Sequence, residues 1–225
     1  MSTLARITRI AGTAILLAAA APALAQLVNG SFEEQVASAP FTTLSAGSTA
    51  LTGWTIEAGS VDHISTYWQA SAGSQSVDLF GNARGIIAQT FATSVGQLYR
   101  VSFDYSVNPD GGTSNRGVNA FASDGVATLG GGVFAYTNGP AVRFSPMNYQ
   151  SATFEFLATS GTSTLRFGGF DADAQNLQFG AVLDNVAVTA VPEPHEWLMM
   201  LCGLGLVGWV ARGRHRAPMP PAAAA

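Results

Sequence analysis

In the stretch Gln97-Leu98-Tyr99-Arg100-Val101-Ser102-Phe103-Asp104-Tyr105, every second side chain from Tyr99 onward is apolar or aromatic. Leu98 and Arg100 fall on the opposite face, and this period of two is typical of a β-strand with one buried face. Shorter segments at 76–79, 86–91, 152–157, 164–167 and 181–188 are similar, and Gly, Ser, Asn and Asp separate them. We therefore expect an all-β domain, with two antiparallel sheets in a jelly-roll β-sandwich.

Two connections between these strands are long. Pro109–Gly117 is rich in Gly, Asp, Ser and Asn, and Gly139–Asn148 contains two prolines. Long loops on a rigid sandwich are where binding residues usually lie, so we expect a ligand site near them.

Residues 1–25 have the order of features found in a secretion signal peptide. Arg6 and Arg9 precede the uncharged apolar run 10–21, and Ala23 and Ala25 frame a small-residue cleavage site. The alternative is an N-terminal membrane anchor, but a spanning helix needs roughly 20 apolar residues. We expect a signal helix that signal peptidase removes, so that the mature chain begins at Gln26.

Residues 191–216 form a candidate anchor segment. Pro192-Glu193-Pro194 is followed by the apolar run 197–211 and then by three arginines. Such a run rises about 22 Å as a helix, which is short for a hydrocarbon core roughly 30 Å thick. A buried core helix is the alternative, but the run is apolar on all sides and its basic end favours a cytoplasmic C-terminus. We expect one hydrophobic transmembrane helix, followed by a disordered Pro/Ala tail at 217–225.

This order of Pro-Glu-Pro triplet, apolar run and basic end resembles the PEP-CTERM sorting signal of Gram-negative bacteria. The resemblance implies processing by an exosortase after transient anchoring in the membrane. It also implies a place in the cell envelope or extracellular matrix, in association with exopolysaccharide and biofilm.

The segment between the two ends, 26–190, is long enough for one domain with its own core. It has five arginines, twelve acidic residues and no cysteine, which gives a net charge of −7, and the whole chain has no lysine. An acidic surface without basic clusters argues against nucleic acid as a partner and suits neutral sugars or cations.

An ordered series of short motifs covers most of this segment. It opens with Leu27-Val28-Asn29-Gly30-Ser31-Phe32-Glu33, continues through Gly53-Trp54-Thr55 and Tyr67-Trp68-Gln69-Ala70-Ser71, and closes with Leu183-Asp184-Asn185-Val186. The series resembles the choice-of-anchor C family, which is similar to a plant cell-wall domain of unknown function. The resemblance implies a galactose-binding-like jelly roll associated with wall polysaccharide.

The same resemblance implies a structural calcium ion at Glu33 and Asp184. Carbohydrate-binding jelly rolls with a similar opening motif and closing strand often join these two positions through calcium, which takes about six to eight oxygen ligands. The alternative is that Glu33 is a surface acid and that Asp184 accepts backbone hydrogen bonds at a strand bend.

Three aromatic residues are candidates for stacking on a sugar ring: Trp54, Tyr67 and Trp68. Trp54 also suits a core position. Tyr67 and Trp68 are adjacent, so on a strand they would point to opposite faces, and we expect Tyr67 to point inward and Trp68 to meet the ligand. Polar contacts to the ligand are expected from Asp62, Gln69 and Asp78.

No catalytic set is evident in 26–190. His63 is its single histidine, no serine lies in a G-x-S-x-G turn, and zinc would lack nitrogen and sulfur ligands. A carboxylate pair of the glycosidase type is possible, but no spacing selects one. The leading hypothesis is a non-catalytic module that binds extracellular polysaccharide. The alternatives are an adhesive surface protein without specific sugar binding and a polysaccharide hydrolase.

Overall fold

Within the described part of the chain, eleven antiparallel strands form two sheets. The computed structural model describes residues 27–111, 115–143, 147–171, 178–192 and 194–214. The strands are β1 (Phe41–Ser45), β2 (Thr55–Ala58), β3 (Ser60–Ile64), β4 (Ser76–Asp78), β5 (Ile86–Ala92), β6 (Leu98–Val107), β7 (Arg116–Ser123), β8 (Thr128–Ala135), β9 (Gln150–Leu157), β10 (Thr162–Asp171) and β11 (Ala181–Ala190). A 3-10 turn, Pro109–Gly111, follows β6. The first predicted loop is shorter than expected, because its last two residues, Arg116 and Gly117, belong to β7.

One sheet has six strands in the order β1-β3-β4-β11-β6-β9, and the other has five in the order β2-β5-β10-β7-β8. The last strand of the domain, β11, therefore lies inside the larger sheet, paired with β4 on one side and β6 on the other. This arrangement confirms the predicted β-sandwich of two antiparallel sheets.

The core between the sheets contains the alternating apolar side chains from which β6 was predicted. Tyr99, Val101, Phe103 and Tyr105 are buried, whereas Arg100 is exposed. The Phe103 ring lies 5.1 Å, between ring centroids, from both Phe134 and Phe167 of the opposite sheet. Burying one such ring contributes roughly 1.5–3 kcal/mol, so this aromatic cluster is a main source of attachment between the sheets.

The outer face of the six-stranded sheet is covered at one end by loops. Residues paired across antiparallel strands share a face, and Thr43, Asp62, Asp78 and Val182 form one such row. Val182 packs with Ile64, Trp68 and Met147 in a second hydrophobic cluster on that face. Loop residues therefore bury positions on the outer face that would otherwise lie in water.

A helix, α1 (Pro194–Arg214), follows the sandwich, and its described side chains are exposed. Among the described residues, none of the helices combines the length and the apolar character needed to cross a membrane. The prediction of a transmembrane helix is wrong for the described residues, because the apolar run within α1 is short and contains three glycines, which lower its hydrophobicity. Residues 1–26 and 215–225 lie outside the described part of the chain, and with them the predicted signal helix and tail.

Asp78 is an acid of the outer face with no exposed surface. Its Oδ1 accepts hydrogen bonds from the amides of Phe80 and Gly180, at 2.9 and 3.0 Å, and its Oδ2 accepts one from Asn108 Nδ2 at 2.7 Å. Burial raises the pKa of Asp78 to about 8, although these donors act in the opposite direction. Asp78 thus connects the end of β4 to the ends of β6 and of the segment before β11.

We predict that the stability of the domain falls as the pH rises from about 4 to about 8, at up to about 1.4 kcal/mol per pH unit from Asp78. The reason is that the folded carboxyl keeps its proton above the pH at which the unfolded one, with its ordinary pKa near 3.8, has lost it. Urea unfolding of Asp78→Asn across this range should show a shallower slope than the wild type.

Asp124→Asn is the matched control for this slope. The pKa of Asp124 is lowered to about 2 by hydrogen bonds from the amide of Ala127, the Thr159 hydroxyl and the amide of Val126. Protonation of Asp124 therefore affects the stability of the domain only below the pH range of this experiment. Equal slopes in the wild type and Asp78→Asn would contradict the prediction.

Candidate functional site

Three segments that are far apart in sequence meet at the covered end of the sandwich. Tyr67, from the connection between β3 and β4, donates its hydroxyl to Asp110 Oδ2 at 2.7 Å. Arg143, from the loop between β8 and β9, forms an ion pair with Asp110 and places its guanidinium 4.0 Å from the centre of the Tyr67 ring. Tyr67 therefore cross-links the two loops that the sequence indicated.

The charges in this cross-link neutralise one another. Burial alone would raise the pKa of Asp110, but the hydrogen bonds from Arg143 and Tyr67 and the positive charge of Arg143 hold it below its usual value. The same contacts, led by the hydrogen bond to Asp110, raise the pKa of Arg143. Asp110 and Arg143 thus stay ionised near neutral pH, whereas Tyr67 keeps its proton, because the hydrogen bond to Asp110 raises the pKa of its hydroxyl.

A cleft of about 200 Å³ opens beside this wall, on the outer face of β1 and β3. Its apolar lining consists of Phe41, Ile64, Tyr67, Trp68 and Phe179. Its polar lining includes Thr43, Asp62, Asn82, Asn108 and Gln178. Phe41 and Tyr67 meet edge to face, with 5.4 Å between ring centroids. The cleft therefore combines aromatic surface with amide, hydroxyl and carboxyl groups.

Asp62 is the acidic residue of the cleft, and the register of β3 places it there opposite Thr43 of β1. Thr43 donates its hydroxyl to Asp62 Oδ1 at 2.5 Å, and no described residue donates to Oδ2. The side chain is half-buried, and this burial raises its pKa. Asp62 thus lines the cleft with one carboxylate oxygen open to it, and its contact with a ligand stays a prediction.

The expected orientation of Tyr67 and Trp68 is wrong. Trp68 is only 4% exposed and donates its indole N–H to the Ser76 hydroxyl at 3.0 Å, whereas Tyr67 is half-buried at the rim. The reason is that both lie in a bend after β3 rather than on a strand, so side chains need not alternate between faces. Trp54 is also in the core, with its indole N–H bonded to the Asn29 carbonyl.

The other two predicted polar contacts are separated from the cleft. Asp78 lies beneath the cleft, where it is fully buried and hydrogen-bonded, so the predicted contact of Asp78 with a ligand is wrong. Gln69 is exposed and lines a different recess, of about 330 Å³, together with Met147, Asn148 and Tyr149. The structure therefore brings Asp62 and Tyr67 together at the cleft and moves Gln69 and Asp78 away from it.

Glu33 and Asp184 hold the connection between β3 and β4 by accepting its backbone amides. Asp184 Oδ2 accepts from Ser71 and Ala72, at 2.7 and 2.8 Å. Glu33 Oε1 accepts from Ser74 and Gln75, at 2.8 and 2.7 Å. Burial and the charge of a neighbouring acid raise the pKa of Asp184 to about 7, against the amide bonds that lower it.

Gly73 lies between these two attachment points. Its φ is +68°, and a Cβ atom there would stand 2.6 Å from Glu33 Oε1. The turn therefore requires glycine, both for the backbone conformation and for the close approach of the carboxylate.

These contacts bear on the predicted calcium ion. Each carboxylate already accepts three hydrogen bonds, which leaves few lone pairs for an ion. Among the described residues, no group of three or more His, Cys, Asp or Glu side chains is spaced to hold a metal. Both carboxylates thus have enough hydrogen-bond donors within the protein to act as a clamp on the peptide backbone. Calcium at Glu33 and Asp184 stays a prediction.

Sequence reasoning missed Phe41, Thr43, Asn82 and Gln178. Phe41 and Thr43 lie on the short edge strand β1, and Asn82 and Gln178 lie in separate turns. No local pattern distinguishes them, because only the strand order of the folded sheet brings them together.

Comparison with known proteins places the chain in a family. Residues 25–189 match the family model DUF642, described as a protein of unknown function. Halomucin of Haloquadratum walsbyi (strain DSM 16790 / HBSQ001) is 31% identical over 198 residues, which cover 84% of this chain and 2% of that protein. The chain thus spans about 2% of the length of this curated relative.

Solved structures with similarity to the chain include carbohydrate-binding modules. TmCBM61 in complex with β-1,4-galactotriose is 11% identical and covers 74% of this chain and 99% of its own, with a TM-score of 0.47. The CBM22-1 xylan-binding domain of Xyn10C from Paenibacillus barcinonensis is 16% identical and covers 71% and 99%, with a TM-score of 0.40. These structural likenesses are distant, and it is the family model, which matches nearly the whole sandwich, that identifies the chain as a member of the DUF642 family.

Proposed function

We propose that this protein is an exported, non-catalytic carbohydrate-binding module with a jelly-roll fold, which contacts extracellular polysaccharide through the cleft on β1 and β3. The observation that carries the proposal is the composition of this cleft. Aromatic rings flank a half-buried carboxylate and free side-chain amides in one recess.

The lining matches the two kinds of surface that a sugar offers. A sugar ring has an apolar face of C–H groups and a rim of hydroxyls, which suits an aromatic ring next to polar groups. Phe41 is 38% exposed and supplies the ring surface. Asp62 Oδ2 and the side-chain amides of Asn82 and Gln178 have no hydrogen-bond partner among the described residues, so they are available to hydroxyls.

The cleft is also held in shape before a ligand arrives. Tyr67, Asp110 and Arg143 fix one wall, and the amide clamps at Glu33 and Asp184 fix the segment that carries Tyr67. A preformed site loses less conformational entropy on binding, which favours useful affinity from a small contact area.

The geometry supports binding rather than hydrolysis. A glycosidase needs two carboxyl groups that both reach the scissile bond. Asp78 is the acid paired with Asp62 across β3 and β4, but it is fully buried, and backbone amides and Asn108 occupy both of its oxygens. Asp62 therefore has no accessible acid partner in its own row of the sheet.

Export and sorting are the part of the proposal that rests on sequence. Ala23 and Ala25 support cleavage by signal peptidase, and Pro192, Glu193 and Pro194 support recognition by an exosortase in a Gram-negative envelope. A module that is released into the matrix by these two steps would be placed next to exopolysaccharide.

Replacing Phe41 with alanine should weaken binding to polysaccharide, because the exposed ring surface of the cleft is lost. We expect a loss of about 1–2 kcal/mol, or roughly five- to thirtyfold in affinity, with little change in melting temperature. Affinity electrophoresis of the full chain in gels that contain plant, fungal and bacterial polysaccharides measures the effect.

Phe121→Ala is the matched control for this substitution. Phe121 is 37% exposed, against 38% for Phe41, but it lies on β7 in the other sheet. If none of the polysaccharides retards the protein, or if both variants lose the same affinity, the result would favour an adhesive protein without this sugar site.

Processing of both ends is expected in the native host. The mature form should begin at Gln26 and should lack the apolar run 197–211, because signal peptidase and an exosortase act on the two ends. Intact mass measurement of the protein recovered from the envelope decides this. Recovery of a form that retains residues 197–216 would refute removal of the tail.

Calcium removal distinguishes an ion site from a peptide clamp. A bound ion would stabilise the folded state by mass action, so a chelator should lower the melting temperature and added calcium should restore it. Glu33→Ala and Asp184→Ala should abolish that response. A melting temperature that is the same with and without chelator would rule out calcium. The clamp would then still account for destabilisation in both variants, since each loses the acceptor of two backbone amides of the connection between β3 and β4.

A further inference from the structure

We propose that the cleft on β1 and β3 is selective for glycans that carry free amino groups, with Asp62 as the partner of the sugar ammonium. This inference rests on the proposed function and names the class of sugar. It begins from the charge of the cleft rather than from its shape.

Asp62 is the single charged residue in the described lining of the cleft. Thr43 satisfies Oδ1, and no described residue donates to Oδ2. Half-burial removes part of the water that would otherwise solvate this carboxylate, so a cation that enters the cleft would gain more than it would at an open surface.

Arg143 and Arg84 are engaged with groups other than Asp62. Arg143 is paired with Asp110 and lies over the Tyr67 ring. Arg84 lies 5.5 Å from the centre of the Phe80 ring and donates to the Asp171 carbonyl. The negative charge of Asp62 is therefore left for a ligand to balance.

The aromatic residues around Asp62 favour the same ligand. An ammonium group is attracted to the negative face of an aromatic ring as well as to a carboxylate, and Phe41 offers exposed ring surface at the cleft. A charge-assisted hydrogen bond from the ammonium to Asp62 Oδ2 is stronger than one from a neutral hydroxyl. A uronic acid would place a second negative charge beside Asp62, and its binding would be disfavoured.

The net negative charge of the whole domain also favours a cationic glycan. The segment 26–190 has a net charge of −7, which raises the local concentration of cationic polymers and lowers that of polyanions. A general attraction of this kind must be separated from recognition at Asp62, and a matched charge change outside the cleft does so.

The test compares two probes on the full chain: a fully de-N-acetylated hexamer of β-1,4-linked glucosamine and the same hexamer with every amine acetylated. At constant ionic strength, and at a pH at which the amines are protonated and the Asp62 carboxyl is ionised, we expect the amine-bearing hexamer to bind about tenfold more tightly in calorimetric titration. Equal affinities, or tighter binding of the acetylated hexamer, would overturn the inference without the need for any variant.

Asp62→Asn should then remove the preference, because the amide keeps an acceptor for Thr43 but has no charge. Glu34→Gln is the matched control, since it removes the same charge from an exposed residue that does not line the cleft. An equal loss of preference in both variants would show bulk attraction by an acidic surface and would overturn the role of Asp62.

The outcome also separates this inference from the function on which it rests. If the wild type binds neutral polysaccharide in a Phe41-dependent way but does not prefer the amine-bearing hexamer, the cleft binds sugars and the amine selectivity is wrong. If Phe41→Ala leaves the binding of every glycan unchanged, the cleft is not the sugar site, and both proposals fail.

Discussion

Two backbone amides, those of Ser71 and Ala72, donate to one carboxylate oxygen of Asp184, and the cleft depends on this contact. The connection between β3 and β4 has no strand partner of its own over this stretch, so its amides need acceptors elsewhere. Asp184 provides them from β11, next to an irregularity in the pairing of β11 with β6 where Asn185 has a φ of +51°. Glu33 provides the second attachment from the opening motif of the domain.

With the connection fixed in this way, Trp68 closes the second hydrophobic cluster, and Tyr67 reaches the loops that carry Asp110 and Arg143. Charged groups thus perform two tasks at one end of the sandwich. Asp184, Glu33, Asp110 and Arg143 are satisfied by groups within the protein and give the cleft its form, whereas Asp62 Oδ2 accepts no hydrogen bond from a described residue.

The parts of the structure that were predictable from sequence are those fixed by local periodicity. The burial of Tyr99, Val101 and Phe103 follows from alternation along a single strand, and the sandwich follows from several such strands. The burial of Trp68 and Asp78 did not follow, because loops distant in sequence cover the outer face of the sheet. The resemblance that selected Glu33 and Asp184 identified two residues that act on the same connection, and the structure gives them backbone amides as partners. Phe41 and Gln178 could not have been found at all, since only the folded arrangement of an edge strand and a distant turn makes them neighbours.

The position of β11 inside the larger sheet has a consequence for how the domain is made. A chain emerges from the ribosome, or from a secretion channel, with its N-terminus first. Until residues 181–190 have emerged, β4 and β6 lack the strand that lies between them, and Asp184 is not yet present to hold Ser71 and Ala72. The six-stranded sheet can therefore be completed only after β11, the last strand of the sandwich, has been made.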